Sequence, residues 1–249
     1  MVDLCLIVPH PDDEVFGSGG LIRRMTEHGK RVVTITLTRG GAGRTLGLCN
    51  QEELPERREQ ELLHSLAALG VPRDDSYIFD YPDFVTAADR GMDPRPGLQG
   101  VDHEEITCRL VTLLDRLQPR TLLTFPPNGA NGHPDHVTTH NLARSALNRT
   151  ALQPQELYYF ASERPYAGPV PPGFLASEEI AGMHLPPTHY VELDWEVEAK
   201  LRAMAQHETQ ARSVLMYMRR FARRLLVESF HRAMPAANAE LVGETVYWL

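Results

Sequence analysis

Short apolar runs alternate along the chain with longer stretches whose apolar residues recur every three or four positions. Residues 4–8, Leu-Cys-Leu-Ile-Val, are continuously apolar, the pattern of a strand buried on both faces. Residues 15–28 take helical spacing and stop at Gly29. Residues 31–37 are rich in β-branched side chains and read as the next strand. The pattern repeats as a helix over 55–69, a short strand over 77–79 and a helix over 106–117. A strand over 121–125, a helix over 137–148 and a strand over 157–160 follow. Repeated strand–helix units predict an α/β fold, a mostly parallel sheet with helices on both faces. In such sheets ligands lie at the carboxyl ends of the strands, so the loops after the strands are where chemistry is sought. From 163 to 187 six prolines and three glycines break the pattern, which predicts a lid over the site or an interface segment. Residues 197–230 read as mostly helical, and 246–248 as a last strand.

Composition narrows the class. The 249 residues are 42% hydrophobic and 23% charged, enough chain for one globular domain over 1–249 without staples. A formal charge of −8 argues against a nucleic-acid wrapper. Cys5, Cys49 and Cys108 form no pair by spacing, which fits a reducing compartment; Cys5 and Cys108 lie in apolar stretches and read as core thiols. No basic segment precedes a long apolar run and no window could span a membrane, so a cytoplasmic, membrane-free protein is expected. A homo-oligomer stays open.

Two of the predicted strands run into similar clusters: Pro9-His10-Pro11-Asp12-Asp13-Glu14, and Gly132-His133-Pro134-Asp135-His136. Either alone reads as a helix-capping turn, with Asp12 or Asp13, and Asp135, as caps. Together, both at strand ends, they offer the imidazoles and carboxylates that a catalytic zinc uses, three from protein plus a water. His10 and Asp13 lie i, i+3 across a proline-stiffened turn, and a histidine of the second cluster would complete the set. A leftover carboxylate can take the proton of the metal's water, and a leftover histidine can face the oxygen that gains charge. Gly17-Ser18-Gly19-Gly20 lacks dinucleotide-loop spacing and reads as close helix–sheet packing. Gly40-Gly41-Ala42-Gly43-Arg44 could hold an anion through its N–H groups, and Arg39, Arg44 and Arg58 are the candidates for substrate contact.

These residues resemble the LmbE-like, or PIG-L-like, zinc-dependent N-deacetylases. Thr38-Arg39-Gly40, Arg58-Glu59-Gln60-Glu61 and the late Lys200, Ala203, His207 and Gln210 extend the likeness over about residues 3–230. The resemblance implies a Rossmann-like three-layer fold with one Zn2+ per chain on His10, Asp13 and His136; Fe2+ or Co2+ suits the same ligands. It implies that Asp12 is the general base, that His133 stabilises the oxyanion or protonates the leaving amine, and that Asp135 orients and tunes His133. It further implies removal of acetyl from an N-acetylglucosamine conjugate. Overall length and the stretches 38–55 and 125–136 look most like the bacillithiol-pathway enzymes, which act on N-acetylglucosaminyl-malate. Another N-acetylated sugar is the alternative: a chitooligosaccharide, a mycothiol-type conjugate or an antibiotic precursor. From a different class, a non-catalytic sugar- or nucleotide-binding protein would use the same fold.

Overall fold

The computed structural model describes residues 1–86, 94–151, 156–234 and 244–245. In chain order the elements are β1 (Val2–Val8), α1 (Asp13–Glu27), β2 (Val32–Thr38), α2 (Leu54–Ala68), β3 (Ser76–Tyr81), β4 (Phe84–Val85), β5 (Arg95–Pro96), α3 (His103–Leu117) and β6 (Pro119–Thr124). They continue as α4 (Gly129–Gly132), α5 (Pro134–Arg149), β7 (Glu156–Phe160), α6 (Ser177–Gly182), β8 (His189–Glu192), α7 (Glu196–Gln206), α8 (Ala211–Arg220), β9 (Val227–Met234) and β10 (Glu244–Thr245).

The main sheet runs β10-β8-β9-β7-β6-β1-β2-β3. Its pairings are parallel except where β9 meets β7 and β8. Alternation along β1 fills two cores. Leu4, Leu6 and Val8 pack with Leu21, Ile22, Leu62, Leu66 and Met204 from α1, α2 and α7. Cys5 and Ile7 pack with Ile106, Leu110, Leu114 and Leu142 from α3 and α5. The sheet is thus the middle of three layers, as expected, and removing one of these leucine side chains would cost about 2–5 kcal/mol.

β1 pairs with β2 on one side and with β6 on the other. The strand order therefore reverses between β1 and β6, where an open α/β sheet forms its crevice. Both His-Pro-Asp clusters leave the carboxyl ends of these two strands.

The tight glycine run is explained by packing. A Cβ at Gly17 would come within 2.7 Å of the Phe160 ring, so only glycine lets α1 sit this close to β7. Deeper in α1, buried Glu228 of β9 accepts the Gly20 and Leu21 N–H groups, each at 2.8 Å. Fully buried Lys200 of α7 donates to the same carboxylate at 2.8 Å and to the Arg224 carbonyl at 2.8 Å.

Three sequence expectations change. Residues 227–230 lie in strand β9 rather than in a helix, because the inward position Glu228 is a charged residue that hides the alternation. β8 follows the proline-rich stretch, where no strand was expected, and α6 lies inside that stretch. Cys108 is exposed on α3, its Sγ 3.4 Å from Glu104, while Cys5 is buried. The strand expected at 246–248 lies outside the described residues.

Candidate active site

The two clusters meet. Asp13, the first residue of α1, lies between two imidazoles: its Oδ2 is 3.2 Å from His10 Nδ1 and its Oδ1 is 3.6 Å from His136 Nε2. The His10 N–H also donates to Asp13 Oδ2 at 3.0 Å, fixing the carboxylate across the turn. His136 sits in the first turn of α5, buried, with its ring 4.0 Å from that of Phe125. Its Nδ1 is 3.0 Å from the Gly129 carbonyl, a contact only Nδ1–H can make, so Nε2 keeps a free lone pair. His10 Nε2 is 3.1 Å from Asp135 Oδ2; in the neutral ring with its proton on Nε2, the Nδ1 lone pair is on the Asp13 side.

His10, Asp13 and His136 thereby aim one nitrogen, one carboxylate and one nitrogen at a common point. That donor set, with outer hydrogen bonds fixing both rings, fits a divalent metal ion.

Proton affinities differ sharply around the site. Burial works against a charged His136, and its affinity for a proton falls below the ordinary value despite Asp13. Burial likewise lowers the His133 pKa far below its ordinary value, and His136 and His10 add to the effect. For His10, burial is outweighed by the hydrogen bonds to Asp13 and Asp135, which raise its pKa well above the usual range. Burial would lift Asp13, but His136 and His10 hold it below the ordinary value. Two carboxylates around one imidazole is a pattern that a cation satisfies.

Asp12 is different. Burial pushes its carboxyl up from an ordinary 3.8 to about 7, with Arg58 opposing and Asp13 adding.

His133 caps α5. Its Nδ1 accepts the Asp135 N–H at 3.1 Å, so the neutral ring carries its proton on Nε2, free to donate. Its ring lies 5.0 Å from that of His10 and 4.8 Å from that of His136. The Asp135 carboxylate was expected on His133. It instead bonds His10 Nε2 and accepts the Phe84 and Leu98 N–H groups, each at 2.8 Å. The geometric reason is that Asp135 follows the N-terminal proline of α5, so only its backbone faces the capping ring.

The three arginines separate. Arg39 lies 3.0 Å from both Glu56 and Glu59 of α2, so its charge is met within the fold. Arg58 is buried; it donates to the Gly40 carbonyl at 2.9 Å and to the Pro11 carbonyl, and its Nη2 is 3.4 Å from Asp12 Oδ2. It braces the turn that carries Asp12. Arg44 is half-buried and has no ion-pair partner among the described residues.

Some neighbours of the site carry no sequence signal. Asp83 is buried, accepts the Ala42 N–H at 2.7 Å and leaves Oδ1 without a partner among the described residues. Phe84 and Phe174 wall His133, with ring distances of 5.8 and 4.8 Å. Phe174 belongs to the proline-rich stretch, which is pinned to the site where Leu175 N–H meets the Gly132 carbonyl at 3.0 Å. That stretch borders the site.

The fold and the donor set define an α/β protein in which His10, Asp13 and His136 could hold a metal ion at the topological switch point. A PIG-L family profile, GlcNAc-PI de-N-acetylase, matches residues 5–147, more than half of the chain, and the chain belongs to that family. It is 33% identical over 174 residues to a 1D-myo-inositol 2-acetamido-2-deoxy-alpha-D-glucopyranoside deacetylase of Mycolicibacterium gilvum, covering 63% of this chain and 58% of that one. It is 30% identical to the protein of that name from Mycobacteroides abscessus, covering 83% and 81%. The chain thus spans little more than half the length of the first of these relatives. Among solved structures, N,N'-diacetylchitobiose deacetylase from Pyrococcus horikoshii superposes with TM-score 0.61 at 20% identity, covering 96% of this chain and 88% of that one. The 4-carboxy-2-hydroxymuconate hydratase GalB of Pseudomonas putida superposes with TM-score 0.66 at 17% identity, covering 99% and 100%. These likenesses show the fold.

Proposed function

We propose that the chain is a zinc-dependent hydrolase that removes the acetyl group from an N-acetylglucosamine-type conjugate. The observation that carries this reading is the convergence of His10, Asp13 and His136 beside two groups that are not needed as ligands, Asp12 and His133. A divalent ion held there supplies Lewis acidity, polarising the acyl oxygen and acidifying a water.

The chain's own groups do the rest. Asp12, next to Asp13 and 3.4 Å from Arg58 Nη2, is suited to take the proton of the attacking water as its oxygen bonds to the acetyl carbon. His133, neutral and with Nε2–H free, donates to the oxygen that becomes negative. The C–N bond then breaks as the proton on Asp12 passes to the amine nitrogen, giving acetate and free amine. Asp135 acts behind His10 by holding its ring.

For the substrate, the relatives named above act on an inositol-linked N-acetylglucosamine, so a conjugate of that kind is the favoured one. The malate conjugate called for anionic recognition by Arg39 or Arg44, and Arg39 is occupied by Glu56 and Glu59. Arg44 remains the substrate-facing arginine in this proposal. No described helix is long and apolar enough to cross a membrane.

The test is amine release from the inositol-linked, malate-linked and chitobiose substrates, with zinc, with Fe2+ or Co2+, and with chelator. Release that needs metal and is fastest on the inositol conjugate is expected. A fully metal-loaded protein that releases amine from none of them would leave a binding protein as the surviving reading.

A further inference from the structure

Asp12 and Asp13 are adjacent, yet both face one site. The backbone makes this feasible: Asp12 has φ 114° and ψ −22°, in the left-handed region that a side chain with a Cβ rarely takes. Such a conformation persists only when its surroundings hold it.

Beside Arg58 on the Pro11 carbonyl, one carboxylate grips the Asp12 backbone itself. Glu14 Oε2 accepts the Asp12 N–H at 2.9 Å. Its other oxygen, Oε1, accepts Ser65 Oγ–H of α2 at 2.7 Å and lies 2.7 Å from His207 Nε2, at the end of α7. Glu14, Ser65 and His207 are almost wholly buried. Among the described residues His207 Nδ1 has no partner, and the ring's only hydrogen bond there is the one to Glu14. A histidine kept in the interior for that single contact is a costly way to fill space. Neither Glu14 nor His207 lies among the groups proposed to hold metal or move protons.

We propose that Glu14, locked by His207 and Ser65, is a positioning residue that holds the left-handed turn so that the base and the adjacent ligand can face the same ion. The inference rests on the deacetylase reading for the role of Asp12, but not for the geometry. Three helices meet at one buried carboxylate, and that carboxylate reaches back to the residue before α1. The bland alternative is an internal polar contact that only welds α1, α2 and α7.

The test compares wild type with Glu14→Gln, His207→Phe and His207→Gln. Expected for Glu14→Gln and His207→Phe are retained metal stoichiometry, near-unchanged KM and a kcat lower by roughly tenfold or more, a part of the contribution of a general base. His207→Gln can still donate an N–H to Glu14 and should recover much of the loss. A second readout is independent of turnover. The visible spectrum of the Co2+-loaded protein reports ligand geometry, and it should change in the two disruptive variants and return toward wild type in His207→Gln. Lower thermal stability with an unchanged Co2+ spectrum and wild-type kcat would overturn the proposal in favour of the weld. If the wild type itself releases no amine, the deacetylase reading falls and the Co2+ spectra still decide the positioning role. If Glu14→Gln fails to fold, the two His207 variants decide it.

Discussion

The two His-Pro-Asp turns share a tripeptide and divide the labour. After β1, the first histidine reads as a ligand, and so does the second aspartate, which opens α1. After β6, the histidine caps the helix and keeps its Nε2–H for other use, while the proposed ligand, His136, falls one residue beyond the aspartate. The proton affinities diverge accordingly: His10, held between Asp13 and Asp135, is raised, while burial among other imidazoles lowers His133. The difference lies in where the helix begins. α1 starts at Asp13, after a left-handed residue, whereas α5 starts at Pro134, one residue into its tripeptide. A short motif thus does not carry roles by itself; the helix start hands them out.

The most damaging way to break the pair is at the proposed ligand of the second turn. His136→Ala should lose most bound metal, measured by elemental analysis, and all metal-dependent turnover, with the far-ultraviolet circular dichroism unchanged. Full metal in that variant would remove His136 from the set.

Next comes Asp12, the proposed base of the first turn. Asp12→Asn should keep its metal and lose about 10²–10⁴-fold in kcat, since that is the usual contribution of general-base assistance. The same variant has a stability signature in chelator. Folding raises the Asp12 carboxyl from 3.8 to about 7, so between those values the folded chain holds the extra proton. Raising pH through that window therefore withdraws stability through Asp12. The melting temperature of wild type should fall relative to Asp12→Asn as pH climbs from 5 to 8. A gap that stays constant would remove the raised carboxyl.

His133→Ala tests the counterpart in the second turn. A loss of about 10²–10³-fold in kcat with metal retained is the cost of one oxyanion donor. A smaller effect is expected from Asp135→Asn, which leaves the ligands in place but loosens the His10 ring; metal affinity, read by competition with a chelator, should fall about 10–100-fold. Were Asp135 to serve His133 instead, kcat would drop with affinity unchanged. The mildest change is Phe174→Ala. It lets water toward His133, so it should raise the His133 pKa, read by NMR titration of the apo protein.

Much of this was legible beforehand. The strand–helix alternation through residue 160 is present in the structure, because strands buried on both faces and helices with one apolar stripe write different periods into the sequence. The ligand and base candidates stood out because imidazole and carboxylate gathered at two strand ends. What the linear pattern lacked was adjacency. That β1 and β6 are neighbours, so that the two clusters meet, is a property of strand order. Phe84, Asp83 and Phe174 reach the site through irregular segments that have no period to read. The arginines misled because charge alone does not reveal a partner: Glu59 satisfies Arg39 from the far end of a loop. β9 escaped because a buried ion pair sits where an apolar residue would have marked the strand.

Glu228 gives the site a schedule. It holds the amides of Gly20 and Leu21 across sequence separations of 208 and 207, and it does so from a strand wedged between β7 and β8. During synthesis the turn after β1 leaves the ribosome long before the carboxylate that steadies its helix. A nascent chain therefore carries the complete set of donors from residue 136 onward without the clasp behind α1. Loops of such separation close slowly. The competent site is thus a late product of folding, and the growing chain passes through a long interval in which His10, Asp13 and His136 exist but are not yet held.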